Sequence, residues 1–251
     1  MSVAPDPPAL AYPPFALLDF ASLFIDFDGT LVDVADQPDA VVVDDALDAL
    51  LADLARRHGN RIALVSGRSI AQLDGFIGPL AHIIALSGSH GSEYRWNGNA
   101  AHPIRPASLD QVEHQMRHAA AAVPGAIVEP KSYGVALHYR LAPQYESGAR
   151  ALATKLAERY GLAVQDGKMM VEVRVAGSDK GVAVRTLMRR PEMAGTRPVF
   201  IGDDLTDEAG FAAAAALGGT GILVGQPRAT AAGYGLPDPA AVRRWLAGAV
   251  A

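Results

Sequence analysis

Cysteine is missing from all 251 residues, which removes disulfides, thiolate metal sites and cysteine nucleophiles together and fits a reducing cytoplasm. Aromatic residues are scarce, at 6% of the chain, and charged residues make up 20% against 50% hydrophobic. That balance is ordinary for a folded protein with a sizeable core and excludes disordered or fibrous structure. Lysine, arginine and glutamate are absent before Arg56, whereas eleven Asp fall in that stretch. The first 55 residues therefore carry −11 and, with −5 for the whole chain, the remainder carries +6. A net negative chain offers no general attraction to nucleic acid or anionic lipid. The longest uncharged stretch, residues 209–227, contains five Gly and few large apolar residues; it reads as helix, turn and buried strand rather than a membrane span. The amino-terminal MSVAPDPPALAYPPF has no basic segment and is broken by Pro, unlike a signal peptide. The expectation is a soluble, cytoplasmic protein with no membrane or nucleic-acid partner.

A length of 251 residues fits one large domain or two modest ones. Apolar strands are expected at 22–27, 61–65, 82–86, 198–202 and 220–224, and helices at 44–57, 69–77, 178–189, 206–216 and 239–248. Strands alternating with helices predict an α/β, doubly wound parallel-sheet core of the Rossmann-like kind. Between its halves the pattern changes. Asn97-Gly98 reads as a hairpin turn; helices at 109–121 and 144–160 then alternate with short strands at 126–129, 134–140, 162–165 and 169–175. The organisation read from this is a core of residues 1–102 plus 177–251, interrupted by an inserted α+β module at 103–176, with hinges near 100–106 and 175–178.

Four polar segments fall where core strands end, and ligands of open parallel sheets bind outside those carboxyl ends. The first is Asp26-Phe27-Asp28-Gly29-Thr30. Strand alternation points Asp26 and Asp28 the same way, and two adjacent carboxylates repel unless a cation lies between them. A hard divalent ion with oxygen ligands, most simply Mg2+, resolves this. Gly29 lets the backbone turn with its N–H groups toward an anion. The second segment is Ser66-Gly67-Arg68, whose hydroxyl can serve a phosphate near a helix start or merely cap that helix. Lys180, in Gly-Ser-Asp-Lys-Gly, opposes the helix dipole and so calls for a bound anion or a carboxylate cluster. The last segment, Gly202-Asp203-Asp204-Leu205-Thr206-Asp207-Glu208, gathers four acids in six residues, more than helix capping requires.

In this order DFDGT, SGR, a lysine in DKG and GDDLTDE resemble the haloacid dehalogenase superfamily of aspartate-nucleophile phosphotransferases. The insertion between the second and third motifs matches that superfamily's larger cap type. Within it, Glu129-Pro130-Lys131, His138-Tyr139-Arg140, Lys168-Met169-Met170-Val171-Glu172 and the preceding Gly88-Ser89-His90-Gly91 resemble the trehalose-6-phosphate phosphatase family. Val175 departs from the pattern, where Pro is expected. The resemblance implies that Asp26 is the nucleophile, forming an aspartyl-phosphate, and that Asp28 is the general acid and base. It implies that Thr30, Ser66 and Lys180 stabilise the transferring phosphoryl group. Mg2+ would be held by Asp26, the Asp28 carbonyl and Asp203, reaching Asp204 or Asp207 through water. Gly29, Arg68, Asp207 and Glu208 are placed on the substrate side. Glu129, Lys131, Arg140, Lys168 and Glu172 are expected to read the sugar, although mixed charges on short strands also suit cross-strand ion pairs. His138 is left out of the site, and Trp96 and Trp245 read as packing. The substrate implied is a small sugar phosphate, with a trehalose-6-phosphate synthase as functional partner. A phosphatase of another glycosyl phosphate, a sugar phosphomutase and a non-catalytic sugar-phosphate sensor are the alternatives.

Overall fold

The first apolar run forms β1 (Ala21–Ile25), buried at every position. The computed structural model describes residues 10–34, 41–59, 61–97, 99–101 and 104–248. After β1 come α1 (Asp45–His58), β2 (Ile62–Val65), α2 (Ile70–Ile77), β3 (Ala85–Gly88), β4 (Glu93–Trp96) and β5 (Asn99–Ala101). Then follow α3 (Ser108–Ala120), β6 (Ile127–Lys131), β7 (Gly134–His138), α4 (Glu146–Tyr160), β8 (Ala163–Gly167) and β9 (Met170–Arg174). The chain ends with α5 (Lys180–Leu187), β10 (Arg197–Gly202), α6 (Glu208–Ala216), β11 (Thr220–Val224), β12 (Tyr234–Leu236) and α7 (Pro239–Gly248).

One sheet runs in the order β12-β11-β10-β1-β2-β3-β4-β5. Its strands are parallel from β12 to β3, and the β4–β5 hairpin adds an antiparallel edge. A parallel sheet needs both faces covered, and alternate residues of β1 serve the two faces. Leu23 and Ile25 join Leu47, Leu51 and Leu54 of α1 and Val242, Trp245 and Leu246 of α7. Phe24 joins Val184 and Leu187 of α5 and Phe211 of α6. Trp96 and Trp245 lie in these two clusters. The uncharged 209–227 stretch supplies most of α6, then β11.

The chain divides into two compact units, Met1–Ala101 with Asp179–Ala251, and His102–Ser178. In the second, a sheet ordered β6-β7-β9-β8 is antiparallel throughout. Val135 and Leu137 of β7 and Val171 and Val173 of β9 pack with Leu109, Val112 and Met116 of α3 and Ala153 and Leu156 of α4. The period of two in β7 and β9 thus gives one apolar, helix-covered face and one polar face. The short strand β12 escaped the sequence reading because three residues carry too little periodicity. Strand β3 starts at Ala85 rather than 82, since a tight helical turn, Gly78–His82, occupies the residues before it. Gly98 of the expected turn and residues 102–103 of the first expected hinge lie outside the described residues.

Candidate active site

Asp26 follows β1, its N–H donating to the Ile201 carbonyl of β10 at 2.9 Å, so two adjacent strands fix its position. Its side chain meets the ammonium of Lys180 at 2.9 Å, and that ammonium donates to Asp207 at 2.6 Å. Asp26, Lys180 and Asp207 are 4%, 3% and 0% exposed. Lys180 opens α5, where Asp179 caps the helix by accepting from the Val182 N–H at 2.6 Å. Asp207 lies against Gly202, where a Cβ would overlap its carboxyl group. Its other oxygen accepts the Asp204 N–H at 2.9 Å.

Carboxylate oxygens of Asp26, Asp203 and Asp207 all fall within 4.8 Å of one another. Gly29 has φ +78°, and a Cβ there would overlap the Asp203 carboxylate. The turn after Asp28 therefore requires glycine for its conformation and for the room it leaves Asp203. Burial raises the Asp26 pKa well above the usual carboxylate range; Lys180 opposes this, and Asp207 and Asp203 add to it. Burial also pushes Asp203 up to about 6, helped by Asp207. Burial alone would lower the Lys180 pKa, but Asp207 and Asp26 outweigh it and hold the ammonium well above its ordinary value. With all three carboxylates ionised against one ammonium, the site would carry an excess of negative charge, which the raised pKa values of Asp26 and Asp203 resist. An all-oxygen donor set with that excess fits a hard divalent cation, so the residues present suit the ion their pattern implied.

This set differs from the expected one. Asp204 turns its carboxylate to the Leu205 N–H at 2.6 Å and stands outside the cluster; Asp207, expected toward substrate or at one water's remove, is within it. The side chain of Asp28 also stays outside the cluster. Arg68 grips both its oxygens, Nε and Nη2 donating at 2.6 and 2.7 Å. The guanidinium of Arg68 in turn lies over the Phe76 ring at 4.7 Å. Glu208, expected on the substrate side, takes Arg228, the Thr230 hydroxyl at 2.8 Å and the Ala231 N–H at 2.8 Å, which anchors the segment after β11. Ser66 is 1% exposed and its hydroxyl accepts the Arg68 N–H at 3.1 Å. The fully buried Thr30 hydroxyl has no hydrogen-bond partner among the described residues. Leaving such a group unpaired is costly, so an oxygen-rich ligand here would relieve it.

In the second unit, the register aligns Glu129, Ala136, Glu172 and Gln165 in one row, and Lys131, Gly134, Arg174 and Ala163 in the next alternate row. Lys131 donates to Glu172 at 3.1 Å, His138 pairs with Glu129 at 2.8 Å and Arg174 donates to Gln165 at 2.5 Å. Gly134 leaves the space that the Glu172 carboxylate fills. Glu129, Lys131 and Glu172 thus share one polar patch, as cross-strand charged groups. Arg140 and Lys168 are exposed and lie beyond the strands, after β7 and before β9. Gln165, Arg174 and His138, left out of the expected site, lie on the same face; the period of two from Glu172 along β9 points to Arg174, whereas Gln165 and His138 reach this face through pairing with other strands.

A family model described as trehalose-phosphatase matches residues 24–239. The chain belongs to the trehalose-phosphatase family. It is 38% identical over 226 residues to trehalose-6-phosphate phosphatase of Escherichia coli (strain K12), covering 89% of this chain and 84% of that one. A crystal structure of a trehalose-6-phosphate phosphatase related protein superposes with TM-score 0.76 at 29% identity, covering 89% of this chain and 94% of that one. A phosphatase of the haloalkanoate superfamily from Bacteroides thetaiotaomicron shares the fold, with TM-score 0.62 at 14% identity over 90% and 92% of the two chains. This family member is a phosphatase of a sugar phosphate, on a haloacid dehalogenase fold with a site for a divalent cation. No helix among the described residues is long and apolar enough to cross a membrane.

Proposed function

We propose that the chain converts trehalose 6-phosphate to trehalose and inorganic phosphate, with Asp26 as nucleophile and Mg2+ as the cation. The observation that carries this reading is the buried Asp26 held 2.9 Å from Lys180, with Asp203 and Asp207 oxygens within 4.8 Å. An Asp26 oxygen bonds to phosphorus while the bond from phosphorus to the sugar oxygen breaks, and Asp28 donates the proton that the sugar oxygen takes. Asp28 then accepts a proton from water as that water attacks phosphorus and the aspartyl–phosphorus bond breaks. To pass a proton, Asp28 gives up at least one of its two bonds to Arg68. Lys180, the Ser66 hydroxyl and the buried Thr30 hydroxyl stabilise charge on the phosphoryl oxygens, which supplies most of the rate enhancement in such transfers. Asp26, Asp203 and Asp207 would hold the ion, which when bound screens the anionic nucleophile from the anionic phosphate and aligns both.

The Glu129, Lys131 and Glu172 patch, with Arg140 and Lys168 at its end, binds sugar hydroxyls in this reading, and residues 102–178 form the specificity cap. The substrate comes from a trehalose-6-phosphate synthase acting in the same cytoplasm. The test is phosphate release from trehalose 6-phosphate, sucrose 6-phosphate, glucose 6-phosphate and a small aryl phosphate, with Mg2+ and with chelator. Buried hydroxyl-binding groups should reject analogues that leave them unpaired by roughly 10⁴-fold. Asp26→Asn is expected to abolish turnover of all four. A flat substrate profile would sink the sugar assignment, and an active Asp26→Asn the nucleophile.

A further inference from the structure

The turn Gly88-Ser89-His90-Gly91 takes no part in the chemistry above, yet its backbone is held in an unfavourable form. Ser89 and His90 are consecutive residues with φ +48° and +51°, a left-handed pair that side chains beyond Gly and Asn rarely adopt. Such strain persists only where the surroundings enforce it, and it concentrates at functional sites. Here the enforcement comes from the loop that carries Ser66 and Arg68. The Ser89 N–H donates to the Arg68 carbonyl at 2.8 Å, and the His90 N–H donates to the Ser66 carbonyl at 2.9 Å. The Ser66 N–H donates back to Ser87 at 2.9 Å. The Ser89 hydroxyl donates to buried Glu93, whose other oxygen accepts the Ile70 N–H at 3.4 Å.

These bonds set the His90 ring down on Gly67. A Cβ on Gly67 would lie 2.6 Å from both Cε1 and Nε2 of the imidazole. On either side the glycines of the turn abut other parts of the site. A Cβ at Gly88 would stand 2.7 Å from the Ile70 nitrogen and 2.9 Å from the Arg68 carbonyl oxygen. One at Gly91 would stand 2.5 Å from the carbonyl oxygen of Asp179, the residue before Lys180. One turn therefore touches both segments that deliver Ser66, Arg68 and Lys180.

We infer that His90 is a positioning residue, its imidazole wedged on Gly67 so as to set the Ser66 hydroxyl and the Arg68 grip on Asp28. This rests on the reading that Ser66 and Arg68 serve phosphoryl transfer. The wedge gives a role to a bulky residue at a position where glycine would be free of backbone strain.

His90→Gly removes the ring together with the strain at that residue, leaving Ser89 as it is. The melting temperature should hold or rise, while kcat falls about 10²-fold, the usual cost of a site group displaced by about 1 Å. The loss should be equal on trehalose 6-phosphate and on a small aryl phosphate, because the wedge acts on the phosphoryl end. Gly67→Ala should cost a similar factor alone, since its Cβ meets the ring, and little more when added to His90→Gly. The idea is overturned if His90→Gly keeps kcat within about threefold, if its activity falls only with its melting temperature, or if Gly67→Ala costs the same in both backgrounds. Asp26→Asn, run beside these, separates the failures. An active Asp26→Asn removes the catalytic reading itself, whereas an inactive one beside a fully active His90→Gly removes only the wedge.

Discussion

At the scale of single residues, the site is dominated by charge held out of water. Asp203 carries a pKa pushed up to about 6 by burial and by Asp207. A carboxyl whose folded pKa is raised holds its proton more tightly in the folded chain. Its contribution to stability is thus fully present below the unfolded value and lost as pH rises through about 6. A divalent ion binds the ionised form, so its stabilising effect runs the other way. The rise in melting temperature on adding Mg2+ should be large near about pH 7.5 and shrink as pH falls through about 6. A rise independent of pH would contradict the cluster as the binding site. Lys180 offsets two buried carboxylates. Lys180→Met should cost about 3–5 kcal/mol at neutral pH, the usual result of breaking a buried pair from one side. The deficit, measured by urea unfolding, should narrow in acid as Asp26 takes up a proton.

At the scale of elements, strand register decides which polar residues meet. Glu129 and Glu172 are 43 positions apart in the chain, yet each pairs with Ala136 in the ladder, so all three share a row. Gly134 is the space on which that row depends, since a Cβ there would overlap the Glu172 carboxylate. Gly134→Ala is expected to lower kcat/KM for trehalose 6-phosphate by about 10²-fold, as displacement of a positioning group commonly does. Turnover of a small aryl phosphate should stay unchanged. Equal loss on both substrates would refute the sugar-binding role of this face. The polar alternation of β9 was legible from the sequence. The pairing of β9 with β7 was not, because strands separated by α4 and β8 leave no local signal.

At the scale of the whole molecule, each unit has its own apolar core. Leu137 belongs to the cluster of the second unit, 0% exposed; Asp26, Lys180, Asp203 and Asp207 all belong to the first. Leu137→Ala should therefore destabilise the second unit by about 2–5 kcal/mol through the cavity it leaves. Mg2+ binding and aryl phosphate turnover should survive, and trehalose 6-phosphate turnover should fall as the second unit unfolds on warming. Calorimetry with parallel assays would check this, and loss of Mg2+ binding in step with the second unit would count against it.

The sequence alone determined the alternation of strands and helices, the interruption of that rhythm after β5, and the aspartates that follow β1 and β10. These are local properties, written in apolar periodicity and in the glycines and acids where strands end. Only the tertiary structure decided which acids form the cluster. Asp204 and Asp207 looked alike in GDDLTDE, but Asp204 is drawn to the Leu205 N–H while Asp207 is buried beside Gly202 and bound to Lys180. Likewise Arg68 met Asp28, and His90 met Gly67, only once three parallel strands were laid side by side. Short-range chemistry shapes each segment, but a contact between distant segments exists only where the packed sheet sets their ends within reach.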